Sequence, residues 1–185
     1  VLLVLIFFSY ANTLNSPLNF DDHAVLQQIN LAGPDTYKTF FPIQYRHLFF
    51  LSFTFNHYQK ELDPFASHLV NISLHFIASL TLFFLVFFTL DNATNWRGKN
   101  AFGVAGLTAI LFGINPLNTE TVTYISGRAS GMAGCFYLVA LLAFVLGSLK
   151  RFSGKIFIFY SLALLAFIAS ILSKETSLTL PAVVF

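Results

Sequence analysis

Charge is scarce in this chain. Acidic and basic side chains make up 10% of its 185 residues, against roughly a quarter in an ordinary soluble domain. Cysteine, methionine and tryptophan occur once each. The lone Cys135 excludes a disulfide framework and any cysteine-built metal site. There is no glycine-rich phosphate loop, no serine nucleophile elbow and no zinc-binding helix motif. The net charge of +2 is too small to imply a polyanionic partner, so no nucleic acid is expected. The N-terminus lacks a basic start and a small-residue cleavage site, which argues against a secretory signal peptide. Apolar residues fill the space that charge leaves. The chain is 56% hydrophobic and 17% aromatic, with 24 Phe and a mean hydropathy of +0.73. This excludes a disordered chain and argues for a membrane-embedded one. It opens on VLLVLIFF and stops in LTLPAVVF, and so reads as an internal fragment cut inside a helix at each end.

A membrane-spanning helix needs about 20 mostly apolar residues. Four segments qualify: 66–90, 101–117 (short and Gly-rich), 131–149 and 156–172. Residues 1–10 and 176–185 read as one more partial span at each end. The fold class expected is therefore all-α, a polytopic transmembrane helical bundle in a single domain. Basic residues in short loops face the cytoplasm. Arg97 and Lys99 lie in 91–100, and Lys150, Arg151 and Lys155 in 150–155, two spans apart. Segments 11–65, 115–130 and 173–175 then face outward. The apolar stretch 41–58 carries Arg46, His47, Asn56 and His57, costly groups in hydrocarbon. It reads as an interfacial helix in the first outer loop, with Tyr45 and Arg46 as anchors and Arg46 in reach of a lipid phosphate. Asn-x-Ser/Thr occurs at Asn71, within a span, and at Asn92, on the cytoplasmic side, so neither should carry a glycan.

The parity of the spans puts three polar motifs on one face: NFDDH (19–23), NPLNTETVTYISGRAS (115–130) and SKE (173–175). Asp21 and Asp22 read either as a solvated pair capping a helix that begins near His23, or as a source of a general base. Glu120, Arg128, Lys174 and Glu175 read either as interfacial ion pairs or as a phosphate clamp, since Arg offers a planar fork of donors and Lys a point charge. His68, Asn71 and His75 fall at i, i+3 and i+7, on one face of the second span. Such a polar stripe faces a protein interior, either through hydrogen bonds between helices or around a divalent metal that would need a third ligand.

The order of these pieces resembles the GT-C class of membrane glycosyltransferases. It is most similar to the membrane half of the transmembrane and tetratricopeptide-repeat (TMTC) proteins. The matching segments are FDDHAVLQQIN (20–30), YRHLFFLSFTFNHY (45–58), LDPFASHLVNISLH (62–75), NPLNTETVTYISGRAS (115–130) and SKETSLTLP (173–181). Three positions depart from the family pattern. His47 stands where that pattern has Pro, Asn115 where it has His, and Ser130 where it has Asp.

The resemblance implies an inverting transferase that takes a sugar, mannose or a similar hexose, from a polyprenyl-phosphate donor. No cofactor is implied, though a divalent metal stays open. The acceptor would be a protein Ser or Thr hydroxyl at the extracytoplasmic face, and the partners are the lipid-linked sugar, the acceptor protein and membrane lipid. Asp21 or Asp22 would be the catalytic carboxylate, with Asp21 preferred as the first acid of the pair. Arg46, His68, Asn71, His75, Glu120, Arg128, Lys174 and Glu175 would bind substrate. The bacterial plasma membrane is preferred over the endoplasmic reticulum, and a tetratricopeptide-repeat region would follow Phe185. Two other readings stand beside it: a non-catalytic membrane scaffold, motivated by the three departures, and a secondary transporter, motivated by the intramembrane His and Asn.

Overall fold

A computed structural model gives the architecture. It describes residues 1–19, 21–32, 46–57, 63–93, 98–149 and 154–184. Tyr45, Arg97, Lys150 and Arg151, which figured in the anchoring and orientation arguments, lie outside the described residues.

The described residues form helices and turns, in the order α1 (Leu2–Tyr10), α2 (Asp21–Ala32), α3 (His47–His57), α4 (Pro64–Ala93), α5 (Lys99–Gly113), α6 (Thr119–Thr123), α7 (Arg128–Ser148), α8 (Ile156–Ser173) and α9 (Leu180–Val184). Helices α4, α7 and α8 are long and apolar enough to cross a membrane. Helix α5 joins them as one half of a bent pair, turned by 48° at the break before Pro116–Thr123. The protein is an all-α, integral membrane bundle.

Helix α5 ends at Gly113, short of the expected 117. The cause is local. Asn115 is extended (ψ 123°) ahead of Pro116, as the proline ring demands of its predecessor, and Pro116 has no N–H to continue the ladder. The Asn115 side chain accepts the Leu117 N–H at 3.0 Å and starts a new turn instead. At the other end of the chain, the expected last span begins as a 3₁₀ turn over Glu175–Thr179 and becomes helical only at Leu180. Helix α3 has eleven residues. At 1.5 Å each it rises roughly 16 Å, far short of the ~30 Å hydrocarbon core. Its Phe49 and Phe53 are buried against Ile125 and Ala129, so it leans on the bundle.

Packing follows residue size. Helix α5 buries Ala101, Ala105, Ala109 and Gly113, one small residue per turn, on the face toward α4. Small side chains let two helix backbones approach closely where lipid supplies no hydrophobic drive. The opposite face shows Leu107 and Leu111 outward. Helix α8 likewise exposes Phe157, Ile158 and Leu165 while Ala166, Ser170 and Ser173 face α7 and the following turn. An all-apolar exterior of this kind is the solvent match for acyl chains. Helix α7 is the central element, packed on α4 along one side and α8 along the other.

Candidate functional site

The polar residues gather at one end of the bundle, where α1 and α5 finish and α4 and α7 begin. Helix α4 carries His68, Asn71 and His75 on one face, and all three are buried. Each serves a different backbone carbonyl on a different element. His68 Nε2 meets the Ser16 carbonyl at 3.3 Å. Asn71 Nδ2 donates to the Tyr124 carbonyl at 2.7 Å. His75 Nε2 meets the Gly113 carbonyl at 3.0 Å, and its ring lies edge-on to Tyr10. A buried carbonyl left without a donor is costly, so this stripe pins the breaks between helices. The two histidines are committed to carbonyls on different elements. Among the described residues, no group of three or more His, Cys, Asp or Glu comes together as a metal site.

Arg128 opens α7 and is 1% exposed. Its Nε donates to Asn71 Oδ1 at 3.2 Å, Nη2 to the Ser67 carbonyl at 3.2 Å and Nη1 to Ser52 Oγ at 3.4 Å. The guanidinium carbon sits 4.0 Å from the centre of the Phe53 ring, a cation–π placement. The side chain thus ties α3, α4 and α7 together. A guanidinium has five N–H donors, so these three bonds do not exhaust it. Among the described residues, no carboxylate pairs with this buried charge.

Arg128, Asn71 and His75 line a cavity of about 320 Å³ between α4, α7 and the segment after α5. Ser130, Gly134 and Tyr137 are shared with an adjoining cavity of about 270 Å³, which reaches Lys174. Lys174 Nζ donates to Ser130 Oγ at 2.8 Å. The residue at the departure from the family's acid is therefore the one that holds the lysine. Two cations, one buried and one half-buried, stand at this groove of two adjoining cavities along the first turns of α7, whose wall is mostly apolar, with Leu74, Ala78, Phe112, Val122 and Leu138.

The acid pair divides. Asp21 is exposed at the start of α2. Asp22 is 1% exposed. Its Oδ1 accepts the Ser126 N–H at 2.8 Å and its Oδ2 the Asn19 N–H at 3.1 Å. The capping alternative is corrected in two respects: α2 begins at Asp21 rather than near His23, and half of the pair is not solvated. Neither acid lines either cavity; Asp22 is bonded to Ser126, two residues before the cavity-lining Arg128. Together, the Asp22–Ser126 and Lys174–Ser130 bonds join the three polar motifs in space. Glu120 is exposed, outside both cavities. Arg46 Nη2 and Glu175 Oε1 stand 3.9 Å apart, each more than a third exposed, a pair that solvent weakens. Arg46 adopts φ 61°, an uncommon backbone for a residue with a side chain.

Sequence reading missed Ser52, Phe53 and Ser67, the partners of Arg128. Ser67 stands four residues before Asn71 and thus on its face of α4. That spacing was a usable signal. Ser126 contributes a backbone N–H, for which no side-chain pattern exists.

Fold and site together define an integral membrane helical bundle with a cation-flanked groove at one end. Comparison with known proteins gives this class a neighbourhood. The chain is 32% identical over 190 residues to protein O-mannosyl-transferase TMTC2 of Mus musculus, covering 94% of this chain and 22% of that protein. It is 34% identical over 193 residues to protein O-mannosyl-transferase Tmtc1 of Drosophila melanogaster, covering 95% and 21%. It is 37% identical over 100 residues to TMTC1 of Mus musculus, covering 54% and 10%. The chain thus resembles TMTC proteins over nearly its whole length, while spanning about a fifth or less of theirs. No protein-family model and no solved structure matches it. These relatives are animal proteins and lend no support to the bacterial membrane preferred from the sequence.

Proposed function

We propose that this chain is part of an inverting glycosyltransferase that moves mannose from a polyprenyl-phosphate donor to a protein Ser or Thr hydroxyl. The reaction runs at the extracytoplasmic face, with the endoplasmic reticulum now preferred over the bacterial membrane. The observation that carries the reading is the groove along α7, bounded by buried Arg128 and by Lys174, with no carboxylate paired to either among the described residues. Uncompensated buried charge is expensive. A phosphate offsets it, and the pair offsets the phosphate in turn.

In this mechanism Asp21 takes the proton from the acceptor hydroxyl as its oxygen attacks the anomeric carbon. The bond from that carbon to the phosphate oxygen breaks, and polyprenyl phosphate leaves with the electron pair. A phosphate leaving group needs charge stabilisation rather than a proton, which is the role of Arg128 and Lys174. His75 and Asn71 line the cavity, and Asn71 Oδ1 keeps Arg128 in place.

The test is transfer from a panel of radiolabelled polyprenyl-phosphate sugars by the whole protein in nanodiscs, beside Asp21→Asn. Label on acceptor protein with the wild type and its loss in the variant is the expected result. Absence of transfer from every donor by a folded, inserted protein would move the weight to the scaffold.

A further inference from the structure

The two acids look alike in sequence, yet they sit in opposite environments. Asp22 is 1% exposed, and each of its oxygens already accepts a backbone N–H, from Ser126 and from Asn19. Each oxygen keeps a second acceptor site, but the carboxylate is anchored by two backbone donors and closed off from the surface. Asp21, one residue earlier, is exposed. The turn that Asp22 grips is the one leading into Arg128. It is held from three directions. Asp22 takes the Ser126 N–H, Asn71 donates to the Tyr124 carbonyl, and Gly127 lies so close to the carbonyls of Glu120, Thr121 and Tyr124 that a Cβ would be 2.7–3.0 Å from them. Asn71 then reaches Arg128 itself. We infer that Asp22 is a positioning residue: its carboxylate fixes the 124–127 turn and so aims Arg128 into the groove, leaving proton transfer to Asp21. This rests on the transferase reading for its kinetic consequence, but not for its structural one.

The experiment pairs donor kinetics with amide hydrogen exchange in the whole protein. Asp22→Asn keeps the shape but exchanges one acceptor oxygen for a donor. It should raise the KM for the polyprenyl-phosphate sugar about tenfold or more while kcat stays within about threefold. The Ser126 amide should exchange faster in the same variant. Asp21→Asn should lose kcat by about a thousandfold or more, with Ser126 exchange unchanged. Should Asp22→Asn not fold, Ser126→Pro removes the donor and leaves the carboxylate whole; the same KM rise is expected, and adding Asp22→Asn to it should cost little more. Loss of kcat in Asp22→Asn with KM and Ser126 exchange unchanged would make Asp22 the base and overturn the assignment. Unaltered KM and exchange would overturn it equally. If the wild type transfers nothing, the transferase reading fails by itself, and Ser126 exchange in Asp22→Asn alone decides whether the clamp exists.

Discussion

Gly127 offers the sharpest test of how this end of the bundle is built. A Cβ there would stand 2.7 Å from the Glu120 carbonyl oxygen, 2.8 Å from that of Thr121 and 3.0 Å from that of Tyr124. All three are backbone atoms, so no side-chain rotation relieves the crowding. The turn before α7 must move, and with it the Asn71–Tyr124 and Asp22–Ser126 bonds. Overpacking of this kind costs about 1–3 kcal/mol, and each bond lost to a buried partner adds about 1 kcal/mol or more. Gly134 is the control. It lies within α7 with open space where its Cβ would go, and Gly→Ala inside a helix gains roughly 0.5–1 kcal/mol. Gly131 is intermediate, with one ordinary contact at 3.6 Å to the Thr121 methyl. The expected order of stability is Gly134→Ala, Gly131→Ala, wild type, Gly127→Ala, with about 3.5–6 kcal/mol between first and last when both bonds are lost. Reversible denaturation in mixed micelles measures it. A Gly127→Ala protein as stable as Gly134→Ala would refute the close packing of the turn.

Three further outcomes follow from the same contacts. Gly113→Ala drives its Cβ to 2.9 Å from Ile6 Cγ1 and Cδ1; it should cost about 1 kcal/mol, and Ile6→Val should recover part of that in the double variant. Asn71→Ala removes the acceptor of Arg128 Nε and the donor to the Tyr124 carbonyl, for a loss of about 2–4 kcal/mol; combined with Arg128→Met it should be less than additive, because both remove one bond. In a Cys135→Ser background, Leu117→Cys should be labelled by an impermeant maleimide from the extracytoplasmic side and Lys155→Cys from the cytoplasmic side, as the basic loops require; the reverse pattern would invert the topology.

What could be read in advance separates by physical cause. Long apolar runs give spans directly, because a helix must satisfy its own backbone in hydrocarbon and needs a fixed length to cross it. The helices over Pro64–Ala93, Arg128–Ser148 and Ile156–Ser173 match the runs 66–90, 131–149 and 156–172 to within three residues at each end. Hydropathy averages over punctuation, however, and so carried the third run through Asn115 and Pro116 to 117, although that dipeptide marks the break. The polar stripe on α4 was legible from its spacing, since His68, Asn71 and His75 share one face whatever they touch. Their partners were not. Most of those partners are carbonyls at helix breaks, and a carbonyl belongs to every residue alike. The same reasoning explains Asp21 and Asp22. Adjacent residues on a helix point about 100° apart, so one of a pair can be buried and the other exposed. Which one faces inward depends on where the 124–127 turn comes to rest.

That dependence gives the site its character. A charge buried in a membrane protein is normally neutralised by an opposite charge beside it. Here Arg128 is held by an amide oxygen, a hydroxyl, a carbonyl and an aromatic face, and Lys174 by a hydroxyl. Neutral partners fix the position of a cation without cancelling its charge. Ser130 is the telling case, because an acid at that place would sit within bonding distance of Lys174 and quench it. Asp22, which grips the turn before Arg128, places its oxygens on backbone N–H groups instead. Every polar choice around the groove therefore keeps its two cations oriented and unspent. A groove kept in that state is suited to an anion that arrives, is used and leaves, and much less to a permanent structural ion pair.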